Sequence, residues 1–517
     1  MLNRRELLLG MGSAAGLSLI QPWERILVPR PRFAANPFSL GVASGEPTGT
    51  GVVLWTRLAP DPLNGGGMDP NAVEVRWQIA SDEGMKRIVR QGKAQTTPEL
   101  SHSVHVEAEG LEPNRHYWYQ FESGGVTSPV GRTRTAPAPG SHPDRLRFAF
   151  ASCQNWPVGY YAAYRHMAEQ DFDLILHLGD YIYEAPIKKN GVRTEDIPDA
   201  VRPEPMNLEQ YRLRHALYKL DPDLQRAHAV APFVVTWDDH EVENNYAADR
   251  DQNGSEPAEF LKRRAAAYQA YYEHMPLRRS QMPKGPDLQM YRRFAYGDLA
   301  EFNVLDTRQY RSDQVHGDKP HARDAEVTDP NRVMMGRKQE AWLQEGLKAS
   351  GAKWNVLAQQ LIMTQVAAFG EDGTMFSMDM WDGYPAERER LMRFLHESKI
   401  PNAVVISGDS HRNLVSELKH DFDKSDSAAV GTEFAGTSIS SNGLKAEDMP
   451  RWQERIAAQS HLKWIEGTKR GYVGCTLDRK SWKADFYSVD DVKLAGSPVR
   501  VEASFVVEDG RPGPQRA

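Results

Sequence analysis

Six apolar runs beyond residue 145, RLRFAFAS, FDLILHLGD, FVVTWDDH, LAEFNVLDT, WNVLAQQLI and NAVVISGDS, alternate with helical stretches such as PAEFLKRRAAAYQAYYEHM and AERERLMRFLHES. Strands that are apolar on both faces cannot lie half in water. The pattern therefore predicts an α/β architecture with a sheet covered by helices on both sides. The late segment RGYVGCTLDRKSWKADFYSV predicts a hairpin closing that sheet. Upstream, SLGVASGE, GVVLWTRL, VEVRWQIAS, HSVHVEAEGL and HYWYQFES are short, alternating and free of long helical stretches. They predict an all-β sandwich over residues 36–136. Between the two lies TAPAPGSHPD, whose three prolines and one glycine make a stiff linker. The α/β region is thus expected over 137–507, with a loose tail at 508–517.

The chain begins MLNRRELLLGMGSAAGLSLI, an arginine pair (Arg4, Arg5) before a short apolar run. This predicts a twin-arginine export signal over residues 1–35, with cleavage near Ala34 or Ala35, and a periplasmic or extracellular destination. The run is too short and too interrupted for a stable span, so no membrane span is expected in the mature chain. A net charge of −7 leaves no basic excess for a nucleic-acid platform. Only Cys153 and Cys475 are present, enough for one bridge and too few for a disulfide framework.

Four strands end in polar residues that a buried strand does not favour: Ser152–Gln154, Gly179–Tyr183, Asp238–Glu241 and Gly408–His411. Ligands gather at the carboxyl ends of strands in α/β sheets, so these distant segments are expected to converge. Cys153, Asp180, Tyr183 and His411 offer sulfur, oxygen and nitrogen suited to ferric iron. Asp238, Asp239, Asn245 and Asp409 offer oxygen suited to calcium, magnesium or manganese. Asp180, beside both sets, could bridge two ions that clamp a phosphate.

These motifs, FASCQ, HLGDYIYE, TWDDHEVENN, NVLDTRQYR, LAQQ, WDGYP, ISGDSHRN and EFAGTSISSNG, resemble in order those of the alkaline phosphatase D (PhoD-like) family. That family is a branch of the calcineurin-like metallophosphoesterases related to purple acid phosphatases. The resemblance implies a four-layer αββα metallophosphoesterase domain behind a fibronectin type III-like sandwich. It implies an exported phosphatase acting on small-molecule or lipid phosphate esters, by attack of metal-bound hydroxide at an iron and calcium centre. Mono- and diesters, and a phospholipase D-like activity on the same site, are all within its range. Cys153 stands where most relatives place an aspartate, Asp180 matches the bridging aspartate and Tyr183 the iron-ligating tyrosine. His411 matches the last histidine of a Gly-His-x-His motif whose first histidine is Asp409 here, an exchange that favours calcium. Either Asp238 or Asp239, with Asn244 or Asn245, would complete the second site. His240 is expected to stabilise the transition state or donate a proton, which makes His240, Asp180 and His411 the catalytic candidates.

Plainer readings exist for each residue. Cys153 could be an inert buried thiol or pair with Cys475, itself expected in the core, and Asp180 or Asp409 could cap a helix. His177 reads as a core histidine, and Trp381, Asp382 and Tyr384 as either pocket wall or turn. Arg308 and Arg412 could hold phosphate oxygens or form ion pairs. Asp426–Ala428 resembles the nucleophile motif of serine-based phosphatases, and a secreted binding protein with a vestigial catalytic domain is a further alternative. No GxxxxGK, GxGxxG or GxSxG motif is present.

Overall fold

The computed structural model of the chain describes residues 31–194 and 196–517. Most of the segment expected to be an export signal, residues 1–30, lies outside the described residues. The first part is all β: β1 (Val42–Gly45), β2 (Gly51–Arg57), β3 (Val73–Ala80), β4 (Ile88–Thr96), β5 (Ser103–Glu109), β6 (His116–Ser123), β7 (Val126–Thr127) and β8 (Gly131–Arg134). Strands and helices then mix: β9 (Arg145–Ala151), α1 (Ala162–Glu169), β10 (Leu174–His177), α2 (Leu208–Lys219), α3 (Pro222–Val230), β11 (Phe233–Val235), α4 (Pro257–His274), β12 (Arg292–Tyr296) and β13 (Ala300–Val304). There follow α5 (Gly336–Ala349), β14 (Trp354–Ala358), α6 (Pro385–Glu397), β15 (Ala403–Ser407), β16 (Asn413–Lys419), β17 (Ala429–Ala435), α7 (Met449–Ala457) and β18 (Leu462–Glu466). Four strands close the chain: β19 (Arg470–Asp478), β20 (Ser481–Val489), β21 (Val499–Glu508) and β22 (Arg511–Arg516). All six apolar runs form strands, and the predicted hairpin is β19–β20.

The period-two geometry of a strand explains how these elements pack. In β9, Phe148 and Phe150 point to one face and Ala149 and Ala151 to the other. The phenylalanines join Leu174 and Leu176 of β10 against Phe302, Val356, Val404 and Ile406, which belong to β13, β14 and β15. The alanines, with Ile175 and Val235, pack under Tyr164, Leu217, Leu224 and Tyr271 from α1, α2, α3 and α4. The outer face of the other sheet, Leu357 and Val405, is covered by Leu343 and Leu391 from α5 and α6. Each sheet thus carries helices on one face only, the second sheet standing where a second helical layer was expected; both faces of the central strands are still dry, as their continuous apolar sequence requires.

The N-terminal sandwich has its own core, in which Val42, Val52 and Val104 of one sheet meet Val75, Tyr117 and Phe121 of the other. The Tyr117 hydroxyl accepts from Glu112 N at 2.9 Å, the corner role expected of it. The boundary with the catalytic part is less clean than the Pro-rich linker suggests. The ten-stranded sheet runs β22-β21-β20-β19-β9-β10-β11-β1-β2-β5, so the sandwich strands β1, β2 and β5 extend the catalytic sheet. The physical reason is the edge: β11 has three residues, and without β1 its free side would be an unpaired template. Gly45 pairs with Phe233 at this junction, and Trp55 donates to Glu273 O of α4 at 3.1 Å. Arg292 of β12 donates to Glu46 Oε2 at 2.9 Å and to Val235 O at 2.8 Å.

The C-terminal residues correct a second expectation. Residues 508–517 are not loose: β22 pairs antiparallel with β21, and Gly513 N donates to Thr432 Oγ1 of β17 at 3.2 Å. RPGPQR has no apolar alternation to announce a strand; the partner strand supplies its order.

The β1–β11 junction tolerates no side chain. A Cβ on Gly45 would stand 2.5 Å from Phe233 O and 2.7 Å from Pro276 O, both backbone atoms that cannot swing away. Gly45→Val should therefore destabilise the protein by about 2–3 kcal/mol, read as a lower urea midpoint. An unchanged midpoint would show that the two parts are not joined through this strand pair.

Candidate metal centre

The sheets deliver five chain segments to one rim. Cys153 follows β9, Asp180 and Tyr183 follow β10, Asp238–Glu241 follow β11, Arg308 follows β13, and Asp409 and His411 follow β15. Three groups of metal-type donor atoms lie there, each with its atoms within 4.8 Å of one another: Cys153, Asp180 and His411; Asp180, Asp238, Asp239 and Asp409; and Asp180, Asp239 and His240. Asp180 belongs to all three. The polar strand ends that were distant in sequence are neighbours in space.

The backbone here is unusual. Cys153, Asp180, Asn245, Asp409 and His411 all have φ between 51° and 61°. For residues other than glycine and asparagine this left-handed conformation costs about 1–2 kcal/mol each. It turns the chain sharply at a strand end, so that the side chain faces across the rim. Gly179 lets the loops after β10 and β11 meet, since a Cβ there would stand 2.4 Å from Asp238 Cβ.

Two acidic side chains hold the turns and were not singled out in the sequence. The buried Glu241 carboxylate accepts from Asp238 N at 2.7 Å, Asp180 N at 3.1 Å and Tyr181 N at 2.5 Å, tying the β10 and β11 loops together. Glu184 lies 2.7 Å from His240 Nδ1 and accepts from Asn244 N at 2.9 Å. Burial works against a charged His240, but Glu184, followed by Asp239 and Asp180, holds its pKa well above the ordinary value. Glu241, adjoining the Asp-Asp-His run, was the one of the two with a local signal.

Charge is the dominant problem of the site. Burial first, and neighbouring carboxylates after it, raise the Asp180 and Asp409 pKa values. Arg308, wholly inaccessible, is the main counter-charge. It donates to Asp238 Oδ1 through Nε, and its Nη atoms lie 2.8 Å from Asp379, 3.4 Å from Asp409 and 3.7 Å from Asp239. Arg311 adds a contact to Asp379 at 3.0 Å. Arg308 is thus an ion-pairing residue inside the site, and Asp379, in an irregular segment, had no pattern by which to be found. Even so, Asp180 Oδ1, Asp238 Oδ2 and Asp239 Oδ1 are buried without a hydrogen-bond partner. Unpaired buried carboxylate oxygens are costly unless a cation takes them up.

Tyr183 is the hub of the first group. Its hydroxyl donates to Asp180 Oδ2 at 2.8 Å and lies 3.1 Å from His411 Nε2 and 2.7 Å from Ser441 Oγ. Its ring lies against His240 with centroids 4.1 Å apart and planes tilted by 31°. Burial, then Arg470, lowers His411 to about 3, so this imidazole is neutral with a lone pair available. Asn245 N donates to Asp239 Oδ2 at 2.6 Å while its amide nitrogen reaches Asp318; Asn244 instead turns to Gln252 at 2.9 Å.

The remaining candidates fall outside the group. Cys475 is a free buried thiol in the core between the sheets, and Cys153 is also free, so the two form no bridge. His177 is buried with its ring edge-on to Tyr181, as a core histidine. Asp382 pairs with Arg388 at 2.6 Å and the Tyr384 hydroxyl accepts from Arg311 at 2.9 Å, which assigns both to structure. Ser427 sits in the β16–β17 turn, where its hydroxyl accepts from Asp421 N at 2.8 Å, and it belongs to none of the donor groups at the rim. His316, His321 and Asp324 form a fourth group of donor atoms within 4.8 Å of one another, separate from the three at the rim; the two imidazoles stack at 3.7 Å with planes 12° apart.

Comparison with known proteins follows the same lines. The profile of the PhoD-like phosphatase family matches residues 148–486, and that of its N-terminal domain matches residues 25–137. The chain belongs to the PhoD-like phosphatase family. It is accordingly a phosphoric ester hydrolase. This PhoD-like chain is 48% identical to alkaline phosphatase D of Bacillus subtilis (strain 168) over 518 residues, 99% of this chain and 88% of that protein. A solved structure of PhoD superposes with a TM-score of 0.90 at 49% identity, covering 94% of this chain and 93% of that one.

Glu241→Gln tests the bracing of the PhoD-like rim. An amide keeps the shape but offers one acceptor oxygen and turns an NH2 toward backbone N–H groups. A loss of about 2 kcal/mol or more is expected, measured by urea unfolding. A neutral result would mean that the loops hold their turns without it.

Proposed function

We propose that this chain is an exported, metal-dependent phosphatase that hydrolyses phosphomonoesters and, at the same centre, phosphodiesters. The observation that carries the reading is the sharing of Asp180 by all three donor groups, which suits one carboxylate bridging two ions. In this proposal Cys153, Asp180, Tyr183 and His411 hold ferric iron, and Asp180, Asp238, Asp239, Asn245 and Asp409 hold calcium or another hard divalent ion. The donor set fits: the unpartnered oxygens of Asp180, Asp238 and Asp239 need a cation, and the neutral His411 nitrogen is free to bind one. When bound, the two ions would supply the Lewis acidity that activates water and neutralises phosphoryl charge.

The chain's own residues do the rest. His240, held protonated against Glu184, is placed to donate toward a developing oxyanion or leaving-group oxygen. The Tyr183 ring lies tilted against His240 and limits where that imidazole can sit. Arg308 spans four carboxylates and keeps their oxygens in register. The two-sided burial of both sheets supports a four-layer αββα arrangement for the catalytic part. Export rests on the Arg4–Arg5 signal, and among the described residues no helix is long and apolar enough to cross a membrane.

Metal analysis of purified protein should find iron together with calcium. Cys153→Ala should lose iron and the hydrolysis of a chromogenic phosphomonoester together, and Tyr183→Phe should lose the visible charge-transfer band. Full iron and rate in Cys153→Ala would return that thiol to the core. His240→Ala should keep both metals while kcat falls by about 10²–10⁴; an unchanged kcat would remove His240 from the chemistry.

A further inference from the structure

The fourth donor group stands apart from the rim and has no role in the proposed hydrolysis. His316, His321 and Asp324 lie in the connection between β13 and α5, and each brings one donor atom within 4.8 Å of the other two. The run is HGDKPHARDAE, so all three, with Glu326 behind them, come from eleven consecutive residues. That run is seated on the body of the protein. Val315 and Val327, which bracket it, are buried together with Met378. In its middle His321 N donates to Phe376 O at 3.0 Å and Phe376 N to His321 O at 2.9 Å. Donors on a seated loop need little ordering when an ion arrives.

Asp324 is aimed by its own turn. Its Oδ1 accepts from Glu326 N and Val327 N, both at 3.0 Å, while Oδ2 faces the histidines, 3.1 Å from His316 Nε2 and 3.8 Å from His321 Nδ1. His316 Nε2 is itself buried and makes no hydrogen bond among the described residues. His321 Nδ1 lies 2.7 Å from Ala322 O; a carbonyl only accepts, so Nδ1 holds the proton and Nε2 keeps the lone pair, the usual state of a metal-binding imidazole. Around a tetrahedral zinc ion with bonds of about 2.0–2.1 Å, ligand atoms stand about 3.3 Å apart, close to the spacing that His316 and Asp324 already have. His321, with 41% of its side chain exposed, has room to turn its ring toward the ion, and Glu326 Oε2 is a further donor 3.9 Å from His316 Nε2. Two imidazoles with a carboxylate select a borderline ion over calcium, whose ligands are oxygens.

We infer that His316, His321 and Asp324 form a cation site of their own, for zinc, which staples the β13–α5 connection. The same loop reaches the rim. Asp318, between the two histidines, accepts from Asn245 Nδ2, and Gln314, two residues before His316, donates to Asn245 O and to Asp379 Oδ1, each at 2.8 Å. An ion here fastens the segment behind Asn245 and Asp379 without touching the rim donors. The site does not depend on the phosphatase reading.

Calorimetric titration of the purified protein, its native metals in place, with zinc alone tests this, with metal analysis before and after. Wild type should hold, as purified or after titration, one zinc per chain at micromolar affinity or tighter, with iron and calcium unchanged. X-ray absorption at the zinc edge should report two imidazole nitrogens and oxygen ligands at about 2.0–2.2 Å. His316→Asn, chosen because asparagine suits the left-handed backbone there (φ 56°), and His321→Ala should each weaken zinc binding by about 100-fold or more, the upper end of what losing a supporting partner costs. Equal urea midpoints in zinc-free buffer check that both variants fold. No zinc in the wild type, zinc binding undiminished in both variants, or zinc gained only as iron or calcium is lost would overturn the site, the last because the ion would then sit at the rim. Zinc bound here in a protein that hydrolyses no ester keeps this site and removes the phosphatase reading.

Discussion

Repulsion among buried carboxylates governs this structure. Asp180, Asp238, Asp239 and Asp409 bring oxygens within 4.8 Å of one another, the first three buried and Asp409 partly exposed. At an effective dielectric constant of about 20, each charged pair at that separation repels by about 3–4 kcal/mol. Arg308 answers part of this, and its own burial is tolerable only because acids surround it. The unpartnered oxygens that remain are what suit the rim to a cation, and on the proposed reading a chain that is acidic overall would thereby present positive charge to a phosphate.

Holding such a cluster together needs a frame that does not yield. The two sheets supply it by packing face to face through Phe148, Phe150, Phe302 and Phe434, with helices over their outer faces. The sandwich strands extend one sheet at β11, and β22 lies against β17 of the other. The strain of the four left-handed residues other than Asn245 is concentrated at the rim and carried by that packing. Glu241 converts the rigidity into position, because one carboxylate holds the backbone of two loops whose acids repel.

Much of this was legible in the chain. The six apolar runs announced their strands because burial on both faces leaves no room for polar alternation, and the Pro-rich linker marked the change of grammar. The motif residues Cys153, Asp180, Tyr183, Asp238, Asp239, Asp409 and His411 were visible because strand ends are where an α/β sheet accepts polar groups. Less was visible at the seams. The extension of the catalytic sheet by β1 depends on a single pair, Gly45 and Phe233, and leaves no periodicity to read. The ordering of residues 511–516 depends on a neighbour, and Asp379 reaches the rim from a segment with no regular structure.

Sequence by itself determined the α/β class, the all-β leading part, the donor types at the rim and the family, because hydrophobic period and residue chemistry are local properties. The sharing of Asp180 was already expected from the sequence, whereas tertiary structure alone decided how closely the donors stand, that Arg308 is spent on acids, and that Glu241 and Glu184 brace the site. Those are distances between residues tens to hundreds of positions apart, set by how two sheets stack and where their strands end, and no short stretch of sequence carries them.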